Sequence, residues 1–397
     1  MKIYNLIENL DDTYGGPAKS VPYLCKNLND LDIDTEMLSI EYHEGEVNSI
    51  VKKYNLKWKS FKFNFIKKTR YSTSLKKFLE NNLRNKSDII LHTHNLWNYI
   101  PYLAYKMSMK HNIPLVVAIR GSLYTWSLEQ SKLQKKIAWA LFQKQVLQDA
   151  SCIHVTEIKE MEAVRDLGIT SPIAIVPNGI NIDEFKNIKT KIVSKESLNL
   201  KVDKKYILFM SRLHPKKGLE YLFNSWIKLA KKNKQWDLLI VGPVYDKKYI
   251  EKLKLTCSNS NLLDRVVFTG MLTGEDRINA FGASDLFVLP SHTENFGIAI
   301  AEAMAAKLPV IVTKGTPWQE IEKLDAGWWV ELSQENIDKS LKEALSLEEK
   351  ELKQKGLNGF ELIQNYEWKY QAKKMKTLYE YILYGGEKPE FLYEIEK

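Results

Sequence analysis

The sequence predicts an α/β protein built from two doubly wound parallel-sheet domains that face each other across a cleft. Three observations predict it. The 397 residues are roughly 2.6 times the ~150 residues of an average domain, which points to two domains. Short apolar runs alternate with amphipathic stretches along the chain, as consecutive βαβ units require. With 44% hydrophobic residues, 18 glycines and 12 prolines, each domain has material for a sizeable core, and a disordered or collagen-like chain is excluded.

Taken in order, the apolar runs at residues 3–7, 88–92, 115–119, 152–155 and 173–176 read as strands of the first domain. Those at 206–210, 237–241, 266–268, 286–289 and 310–312 read as strands of the second. Residues 18–28, 133–148 and 219–231 carry apolar side chains at helical spacing, and so does the last such stretch, 366–384. The polar, lysine-rich segment 185–205 follows the turn signal Pro177-Asn178-Gly179 and marks the boundary. The expected division is a first domain over 1–190, a second over 191–366 and a C-terminal helix over 367–397. Sheets of this kind hold their ligands at the carboxyl ends of the strands.

Cys25, Cys152 and Cys257 are scattered, odd in number and without a Cys-x-x-Cys spacing. That excludes a disulfide scaffold or a structural zinc site and fits a reducing compartment. No apolar run reaches the ~18 residues of a membrane-spanning helix. Residues 1–10 lack the basic start and apolar stretch of a secretion signal. A cytoplasmic protein is expected.

The net charge of +9 is concentrated. Between Lys52 and Lys86 there are twelve basic residues against Glu80 alone, so that window carries +11 and the remainder −2. Aromatic residues from Tyr54 and Trp58 to Phe78 are interleaved with it. One reading is structural, a strand over 61–66 followed by a helix with a solvated lysine face. A second is a peripheral membrane or acceptor surface of Lys57, Trp58, Lys59, Lys62, Lys67 and Lys68. There each basic residue near anionic lipid contributes ~1 kcal/mol and aromatics suit the interfacial layer. The third, nucleic-acid binding by stacked aromatics, lacks any accompanying motif.

Four segments could carry chemistry. Gly15-Gly16-Pro17 follows the first strand and opens a helix, where backbone N–H groups can approach an anion; a plain turn would use the same residues. In Ser211–Gly218, Arg212 and Lys217 stand five apart after a strand, so both can reach one diphosphate, the arginine as a fork and the lysine as a point charge. The alternative is a solvated basic turn. Glu294 and Glu302 are eight apart, which on one continuous helix would be about 12 Å. A loop position for Glu294 and a helical one for Glu302 is more useful, with the amides around Gly297 and Ile298 facing an anion. The competing structural reading, a capping box of Ser291 with Glu294, is weakened by the adjacent Phe296-Gly297. His92 and His94 end a strand on one face, as metal ligands do, but no third ligand stands at a diagnostic spacing. His94 and Arg120, each at a strand end, are better placed to contact substrate. Residues 30–34, rich in Asp, read as turn and cap material.

Together these residues resemble family 4 of the nucleotide-sugar-dependent glycosyltransferases, whose fold is the two-domain GT-B arrangement. The resemblance covers nearly the whole chain. Its marks are Tyr14-Gly15-Gly16-Pro17, His92 through Trp97, Arg120-Gly121-Ser122-Leu123, and Val176 through Ile180 with Asp183 and Phe185. Then follow Arg212 through Gly218, Gly242, and the glutamates Glu294 and Glu302 with seven residues between them.

The resemblance implies two Rossmann-like domains, the first binding the acceptor and the second a nucleotide-diphosphate sugar. It implies retaining transfer of the sugar to an acceptor hydroxyl. Arg212 and Lys217 would hold the diphosphate and offset charge on the leaving group, joined by Gly15, Gly16, Gly297 and Ile298. Glu294, with Asn295 and Phe296, would contact the donor sugar, Glu302 the ribose and Met271 the base. His94 and Arg120 would face the reacting centre or the acceptor. No metal or other cofactor is implied, since the two cations do that work.

The chain departs from the family in carrying Arg120 where many relatives have histidine, and Lys307 where they often have glycine. Thr316-Pro317-Trp318 and Gly327 through Val330 look like a bacterial branch that builds cell-surface polysaccharides such as capsule or O-antigen. A lipid-linked glycan acceptor and an anionic membrane surface would then be partners, and nucleic acid would not. The last helix of relatives returns to the first domain, so 368–397 is expected to pack there. The alternatives are a GT-B nucleotide-sugar epimerase, or a non-catalytic basic protein that binds membrane or nucleic acid.

Overall fold

Strand–helix repeats wind into two separate parallel sheets in the computed structural model, which describes residues 1–11, 15–40, 48–64 and 71–395. The chain divides into one unit of Met1–Gly179 with Trp368–Lys397 and a second of Ile180–Glu367. The boundary expected after residue 190 therefore falls inside the second unit. Ile180 pairs with Glu367 and its N–H donates to Tyr366 O at 2.8 Å, while Ile182 and Phe185 are buried in the second core.

In the first unit the strands are β1 (Lys2–Ile7), β2 (Asp34–Ile40), β3 (Trp58–Phe61), β4 (Ile89–His94), β5 (Leu115–Ala118), β6 (Cys152–Val155) and β7 (Ile173–Ile175). They lie in the order β7-β6-β5-β4-β1-β2-β3, all parallel, and the short strand Leu392–Tyr393 adds antiparallel to β7. Winding proceeds one way from β1 and the other way from β4, so the switch point lies between these two. β2 was not among the expected strands, and the strand expected over 61–66 is displaced. β3 pairs with β2 from Met37↔Trp58 to Ile40↔Phe61. The described part of β2 ends at Ile40, opposite Phe61, and Asn64 N–H donates to Tyr71 O at 2.7 Å instead of to a strand; residues 65 and 66 lie outside the described residues.

The helix expected over 133–148 forms as Lys132–Ala138, a π-helical turn Trp139–Gln143 and Lys144–Gln148. Helix Trp368–Tyr384 lies in the first unit against helix Gly16–Asn29, with Trp368 stacked 6.4 Å from Tyr23. Gly179 admits this packing, since a Cβ there would sit 2.4 Å from the Trp368 ring. Cys25, Cys152 and Cys257 are all free and buried.

The second unit contains β8 (Lys205–Met210), β9 (Trp236–Val241), β10 (Val266–Gly270), β11 (Leu286–Leu289), β12 (Val310–Thr313) and β13 (Gly327–Val330). Their order is β10-β9-β8-β11-β12-β13, all parallel, with the switch point between β8 and β11. Near-continuous apolar runs suit strands covered on both faces. Phe209, Phe287, Trp226, Trp236 and Trp318 have almost no exposure in this core. Among the described residues no helix is long and apolar enough to cross a membrane.

Candidate functional site

In the second unit the loops after β8 and β11 meet at the switch point and are fastened by main-chain bonds. His292 N–H donates to Lys216 O at 2.9 Å, and Ser291 Oγ donates to the same oxygen at 3.2 Å. Gly218, at φ +65°, has no room for a side chain, because a Cβ would lie 2.0 Å from Pro290 O. The loop after β12 joins them, with Glu294 N–H donating to Gly315 O at 2.8 Å. His214 Nδ1 accepts the Lys216 N–H at 3.1 Å and shapes the turn that presents Lys217.

These loops bring Lys217 Nζ to 2.5 Å from Glu294 Oε1, both side chains close to fully buried. Burial pushes the Glu294 carboxyl up, but the Lys217 ammonium overrides it and leaves the group below its ordinary range. Burial pushes Lys216 down to about 8; Glu294 opposes that shift, while Lys217 and Arg212 add to it. The Arg212 guanidinium lies over the Tyr245 ring, 5.4 Å from its centroid. Gly297, at φ +76°, opens helix Ile298–Ala305 and no side chain caps that helix. Its first amides thus form a positive end without a side-chain acceptor. Glu302, buried one turn into this helix, lies 2.6 Å from Arg277 Nη1, and Arg277 Nη2 lies 2.6 Å from Glu184. Burial lowers the Arg277 pKa, and the two carboxylates outweigh it and leave it raised.

In the first unit the equivalent strand ends carry imidazoles. His92 Nδ1 is 2.8 Å from Tyr379 Oη and His92 Nε2 is 3.4 Å from His154 Nδ1. His154 Nε2 meets Val176 O at 2.8 Å, and His94 Nε2 meets Asn5 Oδ1 at 3.1 Å. Burial drives all three histidines down, His154 to about 3, and the neighbouring Arg120 adds to it. Arg120, at φ +52°, places Nη1 2.5 Å from Asn178 Oδ1 and Nη2 3.3 Å from His94 Nδ1. Burial lowers its pKa to about 10 against the opposing pull of Glu160. Glu160 accepts the N–H groups of Gly121 and Thr156, and beside it burial raises Glu157 to about 7.

Residues 14–184 match the family model Glycosyltransferase Family 4, and residues 190–358 match Glycosyl transferases group 1. The chain belongs to the family 4, group 1 glycosyltransferases. An uncharacterized glycosyltransferase of Methanocaldococcus jannaschii is 35% identical over 162 residues, 40% of each chain. The lipopolysaccharide core biosynthesis mannosyltransferase LpsB of Rhizobium meliloti is 30% identical over 172 residues, 41% of this chain and 48% of that one. The chain thus spans less than half the length of these two relatives. Among solved structures, Anabaena HepE in complex with UDP and glucose superposes with a TM-score of 0.77 at 17% identity, covering 95% of this chain and 99% of that one. The fold is GT-B.

Against this family framework, Arg212, Lys217, Glu294, Gly297, Ile298 and Glu302 stand together at one end of the second sheet. Asn295 lies in the same loop, and Met271 stands just past β10, exposed. The Phe296 ring, expected at the donor sugar, is instead buried against Trp318 and Tyr366 at 5.0 and 6.0 Å. Trp318 Nε1 donates to Phe296 O at 2.6 Å, so this residue anchors the loop. The capping box of Ser291 with Glu294 does not form, since the helix begins only at Ile298. Gly15, at φ +107°, and Gly16 open helix Gly16–Asn29; Tyr14 lies outside the described residues. His94 is not an open group: it is buried and both ring nitrogens are engaged, so it positions Arg120.

In the basic window between Lys52 and Lys86, two of the expected patch lysines have carboxylate partners. Lys57 pairs with Asp34 at 2.7 Å and Lys59 with Glu36 at 3.4 Å, while Trp58 is half-buried and donates to Ser39 Oγ at 2.8 Å. β2 supplies those carboxylates from outside the window. Lys62 is exposed; Lys67 and Lys68 lie outside the described residues.

Arg277, Glu184, His154 and Tyr379 were missed. His154 ends a strand just as His92 and His94 do, a signal the sequence did carry. Arg277 carried none, being one arginine on an ordinary helix.

Proposed function

We propose that this chain is a retaining glycosyltransferase that moves a sugar from a nucleoside-diphosphate donor to a hydroxyl of a lipid-linked glycan in cell-surface polysaccharide synthesis. The observation that carries the reading is the Lys217–Glu294 pair beside Arg212 at the switch point of the second sheet. An ammonium and a carboxylate held in one rigid loop cluster suit a ligand that is anionic at one end and hydroxylated at the other. The family membership supports the transferase class, and the relative named for lipopolysaccharide core synthesis supports the acceptor class.

In this reading Arg212 forks two oxygens of the diphosphate and Lys217 turns from Glu294 to the phosphates. Both offset charge as the nucleoside diphosphate departs. The amides at Gly297 and Ile298 contact the same group. Glu294, ionised, accepts hydroxyls of the donor sugar, and Glu302, aimed by Arg277, accepts those of the ribose. Met271 lies against the base. Arg120, steered by His94 and Asn178, faces the acceptor. The cations make a metal unnecessary for this charge balance. The product leaves on the lipid carrier at the inner face of the membrane.

The test is thermal unfolding with UDP, GDP, ADP, CDP and TDP and their sugar conjugates. A ligand at 100 times its Kd stabilises the folded state by about 2.7 kcal/mol, a shift of several degrees. One nucleotide should produce it, and Glu294→Gln should keep that shift while losing about 10²-fold or more in transfer. Glutamine keeps an oxygen to accept the Lys217 ammonium, and the melting temperature of the ligand-free variant checks that the fold survives loss of the buried charge. No shift with any nucleotide, or near-normal transfer by Glu294→Gln, overturns the reading. Conversion of donor without acceptor would mean an epimerase.

A further inference from the structure

The first unit carries an apolar stripe that no packing explains. Leu133, Ile137 and Leu141 recur every fourth residue along the helical segment that starts at Lys132, and they are 71%, 52% and 74% exposed. Trp126, 37% exposed, precedes them. Isolated apolar residues on a surface are ordinary, whereas a contiguous face of large ones is not.

The stripe is not an unfinished core. The opposite side of the same segment is packed: Val146 and Leu147 are buried, Trp139 lies 6.4 Å from Trp97, and Phe142 lies 5.3 Å from Tyr102. The stripe therefore faces away from the sheet.

Charge says what covers it. Lys132, Lys136 and Lys144 are exposed along the stripe, and residues 125–145 hold four lysines against Glu129 alone. An apolar face bordered by lysines is the composition of a helix that lies in a membrane interface, its aliphatic side chains among the acyl chains and its ammonium groups among headgroup phosphates. Among the described residues of the basic window at 52–86, Lys57 and Lys59 are paired at 2.7 and 3.4 Å and Trp58 is bonded inward, whereas along the stripe Lys132 meets Glu129 only at 4.0 Å.

We propose that residues 125–145 form a docking face for an anionic lipid bilayer. The inference deepens the lipid-linked-acceptor reading and rests on it for its purpose, but the docking itself involves no transfer step.

The test is co-sedimentation of the full chain with vesicles of phosphatidylcholine alone or with phosphatidylglycerol. The chain should bind the anionic vesicles more tightly, and salt should weaken binding. Leu133→Gln, Ile137→Gln and Leu141→Gln together should weaken it about tenfold or more. Lys132→Gln, Lys136→Gln and Lys144→Gln together should weaken it severalfold while leaving the apolar face intact. Lys57→Gln, Lys59→Gln and Lys62→Gln together should leave it unchanged. The aliphatic variant should retain the melting temperature and the nucleotide-induced shift, which separates lost docking from lost folding. Failure of the chain to bind anionic vesicles overturns the proposal, as does wild-type binding by both the aliphatic and lysine variants. A wild-type dimer in sedimentation velocity that the aliphatic variant dissociates would assign the stripe to a second copy. Vesicle binding without any nucleotide shift would sink the transferase reading alone.

Discussion

The two sheets wind in the same order about their switch points, yet their carboxyl ends hold opposite kinds of chemistry. The second unit pairs Lys217 with Glu294, and Arg277 with Glu184 and Glu302, as largely buried ion pairs, with the charges of Lys216 and Arg212 nearby. The first gathers His92, His94 and His154, which burial keeps neutral, around the one cation Arg120. Topology thus decides where a ligand goes, and the side chains delivered there decide its charge. A cationic loop cluster suits a polyanion; neutral imidazoles that orient one guanidinium beside Glu160 suit a hydrogen-bonding ligand such as a hydroxyl.

The comparison breaks first at Arg277. Arg277→Met leaves Glu184 and Glu302 without their shared partner, and removing one member of a buried pair costs about 3–5 kcal/mol. Hydrogen exchange should show that loss confined to the second unit. Unchanged protection there would mean that the pairs do not support this end of the sheet.

A smaller effect separates the units by pH. The folded pKa values of the three histidines lie below the ~6.5 of an unfolded chain. Above that value neither state binds the proton, so stability is level. Below it the unfolded chain takes up protons that the folded cluster refuses. The stability of the first unit therefore falls with pH toward the folded values, about 3 for His154. The slope is ~1.4 kcal/mol per pH unit for each histidine. Exchange protection followed from pH 7 to 5 should decline in the first unit and decline less in His154→Asn. A flat profile would show that the cluster is not held neutral.

The smallest effect sharpens the description of the second unit. Lys216, pushed down to about 8, loses its proton between pH 7 and 9. Nucleoside-diphosphate affinity, measured by titration calorimetry, should drop about two- to fivefold over that range, the size of a partly screened charge contact. Lys216→Met should flatten the profile. An unchanged profile in that variant would remove Lys216 from the site.

Much of the architecture was legible. Strands such as β8 and β11 are unbroken apolar runs bounded by turns, and such runs have few alternatives to a buried parallel strand. β2 was not, because Asp34-Thr35-Glu36 gives it a polar start that reads as turn material; pairing with β1 and β3 makes it a strand. Within the site, Arg212, Lys217, Glu294 and Glu302 were legible from spacing, since each sits a fixed distance from a strand end or a glycine. Phe296 was misread because a bulky aromatic beside glycine looks like a ligand contact, and only Trp318 and Tyr366 reveal it as an anchor.

By itself the sequence determined the two-sheet architecture and the candidate loops, which follow from periodicity and local spacing, and the family, which its motifs resemble. Only the tertiary structure decided which charges meet. Lys217 finds Glu294 from 77 residues away because β8 and β11 are neighbours. Asp34 and Glu36 neutralise Lys57 and Lys59 because β2 lies beside β3. The stripe from Leu133 to Leu141 is exposed because the opposite side of its helix is buried. Strand order is a property of the whole sheet's energy, and no local window of the sequence contains it.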